Sequence, residues 1–488
     1  MKKSQGIFLI LIILIVSCQN KNVFDYKNKY YEIFNKNFNI NDDLNNIINE
    51  KTKGLYPGTQ EFNFAADYLS YKFNLLGLKD PKFLKNYFQY FSIKSRKIGK
   101  DPRIWIDKNY LELGKDYIIS KTSGKSNIKN AKIVFVGFGL VLPEQNYNDY
   151  TAVNVENKIV IAFKNLPKRI LIDNPEYSNI YYRAYLAKNF GAKGIIYIDC
   201  SNKNTDQIKN SAYIPSSYQL SNFPQIFIPH NKINLKRNGR EINFPMIKDD
   251  ILKSNEPYSF HLNNRVSMYL PMKIEREKTM NIIGYLPASE KYKQTKKNII
   301  FATQLDGMGK QNDQIYHKNA VHNVSSIITL LNIAKNISNI QQYERKNDIY
   351  FVIFSGTNHG LKGGQVLLST EEFNKINTKY MINLSDIGAS DIYFEIGGGL
   401  TYPSIYENIE TTMKHFKIKL NLNISYAGYA EDQLFINRGI PSLYIYSSNY
   451  KLKKTLSDIK KNVHNKGIQK ISTLLSLSFF EDIFDIEK

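Results

Sequence analysis

Five residues in the C-terminal half of the chain carry side chains that could bind a metal ion. They are Asp306, His317, His322, His359 and Asp386. Imidazole and carboxylate groups are good zinc ligands, and a zinc-bound water also needs a base to take its proton. The histidines lack the spacing of a known ligand motif, and no candidate base can be named. A serine mechanism is not expected, because no G-x-S-x-G segment is present.

These residues follow or separate apolar segments that alternate between strand and helix patterns. A helix is predicted at SSIITLLNIAKNI (325–337), and strands at NIIGYL (281–286), NIIFAT (298–303), IYFVIFSG (349–356), YMINLSD (380–386) and SLYIYSS (442–448). Apolar strands that alternate with helices are typical of a mainly parallel sheet covered on both faces. Such a sheet binds its ligands at the carboxyl ends of its strands, so the chemistry is expected there.

Earlier in the chain, apolar residues between 41 and 78 recur at helical spacing, with a break at 56–59. Two helices around a turn are therefore predicted. Strands at 132–139, 158–163 and 194–198, with a helix at 182–190, indicate a small additional α/β unit.

Composition limits the partners of this protein. The 488 residues are 42% hydrophobic, so the chain should fold into several domains. The formal net charge is +22, but the basic residues are scattered and no nucleic-acid reader motif accompanies them. Nucleic acid is therefore not an expected partner, whereas attraction to anionic lipid or to polyanionic surface sugar remains open.

The N-terminus has the pattern of an export signal. Two lysines precede a ten-residue apolar stretch, which is too short to span a bilayer, since a spanning helix needs about 20 residues. Ile15, Val16, Ser17 and Cys18 resemble a bacterial lipobox, which predicts a lipid on Cys18 of the mature protein. Because Cys200 is the only other cysteine, no internal disulfide is expected.

Several motifs, in their order and spacing, resemble the zinc aminopeptidases and glutamate carboxypeptidases of metallopeptidase family 28. Tyr56-Pro57-Gly58-Thr59 is similar to the N-terminal "PGT" segment of the family, and 281–287 is similar to its "NVIGYLPG" entry into the peptidase sheet. The segments 136–139, 147–150, 158–160 and 191–194 resemble a protease-associated domain. The resemblance implies an α/β fold with a mainly parallel, helix-flanked, zinc-exopeptidase-like sheet and an inserted small protease-associated α/β domain.

The family holds two zinc ions with His, Asp and Glu, but this chain departs from that pattern. By resemblance, the first His ligand falls on Gln304, with an orienting Asp retained at Asp306, and the bridging Asp falls on His322. The base and its neighbouring Glu ligand fall on Thr357 and Asn358.

Two further ligand positions also differ. The fourth ligand, an Asp, falls on Ser385, and the last, a His, falls on Lys454. Asp386 is one residue beyond Ser385, and strand alternation predicts that it points to the opposite face. Thr has no useful base at neutral pH, an amide is a weak zinc donor, and a Lys ammonium has no lone pair. A peptide or an anionic group is therefore a more suitable ligand for the degenerate cleft than a dication.

Together these observations predict a lipid-anchored protein of the bacterial cell envelope that has a peptidase fold but no catalytic residues and no metal cofactor. Its role would then be binding or structural. The alternative is an active metal-dependent exopeptidase, of aminopeptidase type, with a rearranged zinc site. The predicted segments are a signal peptide (1–17), a tether (18–40), the first part of the peptidase-like domain (41–124), the protease-associated insert (125–255) and the remainder of the peptidase-like domain (256–488).

Overall fold

The structure is a computed structural model that describes residues 26–35, 40–120, 122–167, 180–200, 220–309, 316–426, 428, 430–447 and 457–486. The helices are α1 (26–35), α2 (Ile40–Ile47), α3 (Gln60–Leu75), α4 (Ile180–Asn189), α5 (Phe244–Ser254), α6 (Ser325–Ser338), α7 (Lys362–Leu367), α8 (Pro403–His415), α9 (Glu431–Ile436), α10 (Asn465–Ser478) and α11 (Phe480–Ile483).

The first ten strands are β1 (Phe88–Ile98), β2 (Arg103–Ile106), β3 (Asn109–Leu111), β4 (Ile118–Ile119), β5 (Ser126–Val136), β6 (Val141–Leu142), β7 (Tyr147–Asn148), β8 (Ile159–Phe163), β9 (Gly194–Asp199) and β10 (Gln225–Pro229). The others are β11 (Lys236–Arg237), β12 (Arg240–Glu241), β13 (Ser259–Leu270), β14 (Met272–Leu286), β15 (Asn298–Gln304), β16 (Asp348–Phe354), β17 (Thr378–Ser385), β18 (Tyr393–Gly397), β19 (Asn421–Ser425) and β20 (Ser442–Tyr446).

The chain divides into two compact units. Unit 1 consists of Met1–Ile93, Lys278–Met308 and His317–Lys488, and unit 2 consists of Lys94–Glu277 and Gly309–Tyr316. Unit 2 is wider than the predicted insert, which spans 125–255. The reason is that the strands β2, β3 and β13, outside those bounds, pair into the same sheet as the predicted strands.

Unit 1 contains an eight-stranded sheet in the order β1-β14-β16-β15-β17-β20-β18-β19. Its central strands β16, β15, β17 and β20 are parallel neighbours, while β14 and β18 each pair antiparallel with this group. The predicted mainly parallel α/β sheet is confirmed. The strands β15 and β16 are buried along their whole length, which explains why their sequences lack polar alternation.

Both faces of this sheet are covered. Alternate residues such as Phe301 and Phe351 pack into a large core with α3, α6 and α10, whereas Ile300 and Val352 pack into a second core with α7 and α9. Almost every residue of α6 is buried. In α3, the side chain of Thr59 accepts from the backbone N–H of Phe62, so the turn predicted at 56–59 caps this helix.

Unit 2 has its own eight-stranded sheet, in the order β3-β2-β13-β5-β8-β9-β10-β4. The strands β5, β8, β9 and β10 run parallel, and the remaining pairs are antiparallel. The helix α4 connects β8 and β9 and packs its alanines against one face of the sheet. The strands and the helix predicted between 132 and 198 are therefore present.

A buried carboxyl group holds the turn at residues 136–139 (VGFG) of unit 2. Asp149 is completely buried and accepts from the backbone N–H of Phe138 (3.1 Å) and Leu140 (2.9 Å) and from the hydroxyl of Tyr147 (3.0 Å). Burial raises the pKa of Asp149 to about 7, against the effect of these hydrogen bonds. The side chain of Asp149 thus replaces the solvent that would otherwise satisfy these donors.

Among the described residues, no helix is both long enough and apolar enough to cross a membrane.

Candidate functional site

The candidate site begins at the carboxyl ends of three adjacent strands, as the sheet topology predicts. Gln304 is the last residue of β15, and Ser385 is the last residue of the parallel neighbour β17. Gln304 and Ser385 are both at least nine-tenths buried. Gln304 Nε2 donates to Asn323 Oδ1 (3.4 Å), and Asn323 in turn donates to the backbone carbonyl of Asp306.

Asp306 orients the loop that follows β16. Its Oδ1 accepts from the backbone N–H of Gly356 (2.8 Å), and its Oδ2 accepts from that of Asn358 (3.2 Å). Gly356 has a φ of +73°, which lets the chain turn sharply into the single helical turn Thr357–His359. Burial raises the pKa of Asp306 to about 6, so this carboxyl is ionised at neutral pH.

Sequence reasoning missed Glu431, a buried acid beside the position of the family base. The hydroxyl of Thr357 donates to Glu431 Oε1, and Glu431 is about 1% exposed. Burial raises the pKa of Glu431 to about 8, so the group is neutral at pH 7. The only sequence signal was the acidic pair Glu431-Asp432 in the first turn of α9, and such pairs are usually explained by the helix dipole.

Asp432 places a further buried carboxyl in the same region. Its Oδ1 accepts from the backbone N–H of Ala430 (3.0 Å) and lies 3.5 Å from Asn383 Nδ2. Burial raises the pKa of Asp432 to about 6. The prediction of an anionic ligand counted only the charges of the predicted cleft residues and left out Glu431 and Asp432. Binding of an anionic ligand at this site stays a prediction.

His322 and Asp386 form a buried pair. His322 lies in the turn before α6, and Asp386 directly follows the last residue of β17. His322 Nδ1 lies 2.6 Å from Asp386 Oδ1, and Ser385 Oγ donates to Asp386 Oδ2 (3.3 Å). The expectation that Asp386 points away from the Ser385 side is wrong. The strand ends at Ser385, and Asp386 has a φ of +54°, so strand alternation does not extend to it.

The backbone around His322 is held by Asp458. The segment Ala320–Val324 forms a π-helical turn, and Asp458 accepts from the backbone N–H groups of Val321 (2.7 Å) and His322 (3.2 Å). A π-turn cannot be recognised from apolar periodicity, so the sequence did not predict this local geometry.

The other two histidines of the alternative zinc site, His359 and His317, also belong to unit 1. His359 Nε2 is 3.2 Å from the hydroxyl of Tyr56, and burial lowers the pKa of His359 to about 4, so this imidazole is neutral at pH 7. His317 is buried, before the turn that contains His322. Across the described parts of the chain, no group of three or more His, Cys, Asp or Glu side chains could hold a metal ion.

Two predicted site residues, Cys18 and Lys454, lie outside the described residues. The other predicted cleft residues, which are Gln304, Asp306, His322, Thr357, Asn358 and Ser385, lie at the ends of the β15–β17 strands or in the turns that follow them. These six residues thus lie at the carboxyl-end edge of the sheet or in the turns beside it.

The chemistry of these side chains does not fit a pair of zinc ions. The amides of Gln304 and Asn358 and the hydroxyls of Thr357 and Ser385 are weak neutral donors, where zinc prefers imidazole, carboxylate or thiolate. Asp306 uses both carboxylate oxygens for backbone hydrogen bonds, as in an orienting role.

The parallel sheet of unit 1, with helices on both faces and polar residues at its carboxyl end, defines an α/β fold of the zinc-exopeptidase class. Residues 281–478 match the family model described as peptidase family M28. Over this segment the predicted resemblance to metallopeptidase family 28 is confirmed.

Solved structures support the same fold. The zinc aminopeptidase BSAP from Bacillus subtilis has a TM-score of 0.64 and 16% identity, covering 92% of this chain and 95% of that one. An aminopeptidase from Aneurinibacillus sp. strain AM-1 has a TM-score of 0.63 and 14% identity, covering 93% and 97%. The peptidase M28 precursor from Shewanella amazonensis SB2B has a TM-score of 0.63 and 14% identity, covering 96% and 98%. No curated protein sequence matches the chain significantly.

Proposed function

We propose that this protein is a lipid-anchored cell-envelope protein that keeps the M28 peptidase fold but does not hydrolyse peptides with zinc. Its role is to bind a ligand or partner, or to serve a structural purpose. The observation that carries the proposal is the set of residues at the strand ends, where Gln304, Thr357, Asn358 and Ser385 replace side chains that would bind or activate zinc.

The hydrogen bonds of the site also favour this proposal. Asp306 is committed to the loop after β16, and Glu431 is paired with Thr357 as a neutral acid at pH 7. A general base must be ionised and within reach of the water that it activates. Glu431 meets neither requirement, because burial favours its protonated form and encloses the carboxyl.

Ligand binding at this site is supported by unsatisfied acceptors. Gln304 Oε1 and Asp432 Oδ2 are buried and have no hydrogen-bond partner among the described residues. Buried polar atoms are nearly always paired, so these two oxygens favour a ligand with hydrogen-bond donors, such as the amide groups of a peptide.

The anchor is supported by the sequence alone. The charged start, the short apolar stretch and the lipobox-like segment 15–18 favour export and lipid attachment at Cys18.

Metal content and peptidase activity test this proposal together. The purified full-length protein is loaded with zinc, dialysed, and examined by elemental analysis and with a panel of aminoacyl p-nitroanilides. A zinc aminopeptidase of the same fold, such as BSAP, serves as the positive control. We expect less than stoichiometric zinc and no hydrolysis above the protein-free rate.

The opposite result would favour the rearranged enzyme. Stoichiometric zinc, with hydrolysis that a chelator abolishes and zinc restores, overturns the proposal. In that case His322→Ala and His359→Ala should each reduce zinc retention and activity. His230→Ala, in unit 2, is the matched control and should change neither.

A further inference from the structure

A large basic cleft lies within unit 2. It has a volume of about 1210 Å³, and 22 residues from β5, β13, the end of α4 and the connections before β8, β9 and β10 line it. Seven of the 22 are Lys or Arg, and only Glu156 is acidic. The whole chain has 66 basic and 44 acidic residues among 488, so this cleft is far more basic than the chain as a whole.

The sheet register aligns four of these basic residues, two of them in β13 and β5 and two immediately before β8 and β9. Ile133 pairs with Ile159, and Ile159 pairs with Gly194, so Lys132, Lys158 and Lys193, each one residue earlier, lie side by side. On the other side of β5, Arg265 pairs directly with Lys132. Neighbouring strands are about 4.8 Å apart, so the sheet itself sets the spacing of this row.

No ion pair within the described part of the chain neutralises the row, and the nearest acid contact is Asp107 Oδ1, which accepts from the backbone N–H of Arg265 (2.8 Å). Among the described residues, none of the seven basic side chains of the cleft forms an ion pair. Those that do make hydrogen bonds use oxygens of neutral groups, as when Lys188 Nζ donates to Ser221 O (3.0 Å) and Arg265 donates to Asn130 O (3.1 Å). Lys129, Lys132, Lys193 and Arg265 are exposed to solvent. Like charges on adjacent strands repel each other, which an anionic ligand would relieve.

The other side chains of the cleft suit a polypeptide. Asn127, Asn130, Asn157 and Asn222 supply amide groups that can pair with peptide N–H and C=O groups. Ile128 and Met272, which are partly exposed, contribute apolar surface. Phe223 is the one aromatic side chain among the described residues that line the cleft, and because it is buried it offers no face for stacking on a base or a sugar ring. A concave site also suits a chain better than the flat surface of a bilayer.

We propose that this basic cleft binds an acidic segment of a partner polypeptide, whose carboxylates lie along the row formed by Arg265, Lys132, Lys158 and Lys193. This function is separate from the M28 strand ends and does not depend on whether they are catalytic.

Fluorescence anisotropy with a labelled decapeptide tests the proposal on the full-length protein in detergent. The probe has six Asp or Glu residues, and a peptide with Asn or Gln at those positions is the neutral control. We expect binding of the acidic peptide, weakened by salt, and no binding of the neutral peptide. The variant K132E/K193E/R265E should lower the affinity at least about tenfold, since three attractions become repulsions.

A second variant with the same change in net charge separates the cleft from the overall charge. In K108E/K236E/K253E, three exposed lysines of unit 2 outside the cleft are reversed, and the affinity should stay within about twofold of wild type. Circular dichroism and melting curves establish that both variants fold. Equal weakening by both variants overturns the proposal. So does a preference for phosphatidylserine vesicles or polygalacturonate over the peptide, or an absence of peptide binding.

Discussion

The buried acid Glu431 links stability to pH at the scale of one residue. Its folded pKa of about 8 is above the ordinary value of 4.5, so the folded state binds a proton that the unfolded state releases between these values. The stabilisation from this group is complete below about pH 4.5 and is lost as the pH rises through 8. As the pH rises from 6 to 9, we expect the unfolding free energy of Glu431→Gln to fall by about 2 kcal/mol less than that of wild type.

Urea unfolding at several pH values measures this difference. Glu256→Gln, which changes an exposed carboxyl of unit 2, is the matched control and should follow the wild-type profile. If Glu431→Gln and wild type lose stability in parallel, Glu431 is not protonated in the folded protein.

Asp149 gives a second prediction at the residue scale. Asp149→Ala leaves the backbone N–H groups of Phe138 and Leu140 buried without acceptors, and we expect a loss of about 3 kcal/mol. Asp149→Asn keeps one carbonyl oxygen and should lose less. Thermal and urea unfolding of both variants provide the measurement, and equal losses would show that the oxygen kept in Asp149→Asn does not accept from these N–H groups.

How well single residues could be predicted depended on whether their neighbours are local. Gln304 and Ser385 end β15 and β17, and Thr357 lies just after β16, so apolar runs in the sequence were enough to predict strand ends near these residues. Glu431 was missed because its contact with Thr357 joins residues 74 positions apart, and no local pattern encodes such a pairing.

At the scale of elements, α7 packs closely against the end of β16. Asn281 accepts from the backbone N–H of Ser355 and donates to the carbonyl of Gly363. A Cβ atom at Gly363 would lie 2.3 Å from Asn281 Oδ1 and from Ser355 O. We therefore expect Gly363→Ala to cost about 3 kcal/mol of unfolding free energy.

Gly77→Ala is the matched control for that substitution. Gly77 has a φ of +72°, but no atom lies within 4 Å of the place that a Cβ would occupy, so only backbone strain of about 1 kcal/mol is expected. Urea unfolding measures both losses of unfolding free energy. If Gly363→Ala loses less than Gly77→Ala, the packing at α7 relaxes easily.

The strands and helices themselves were largely predictable, because burial leaves continuous apolar runs and strand ends leave polar residues. The exceptions are backbone features. The left-handed Asp386 and the π-turn at Ala320–Val324 were not predicted, since both depend on tertiary hydrogen bonds to His322 and Asp458.

At the scale of the whole molecule, attachment to a membrane is the property to test first. Cys18→Ala should move the protein from the detergent phase to the aqueous phase in a phase-separation experiment and abolish labelling by palmitate. Cys200→Ala, which removes the other cysteine, should leave both unchanged. Persistence of the Cys18→Ala protein in the labelled detergent phase would contradict the lipid anchor.

Unit 1 is built from segments that unit 2 separates in the sequence, and this affects folding during synthesis. The apolar side chains of α3, including Phe62 and Phe73, pack into a core with residues of β14 and β15, and unit 2 lies between them in sequence. Roughly 200 residues must leave the ribosome before these partners are available, which takes about 10 to 40 seconds at the usual elongation rates. During that interval the apolar face of α3 stays exposed. The nascent chain should therefore bind chaperones until β15 emerges.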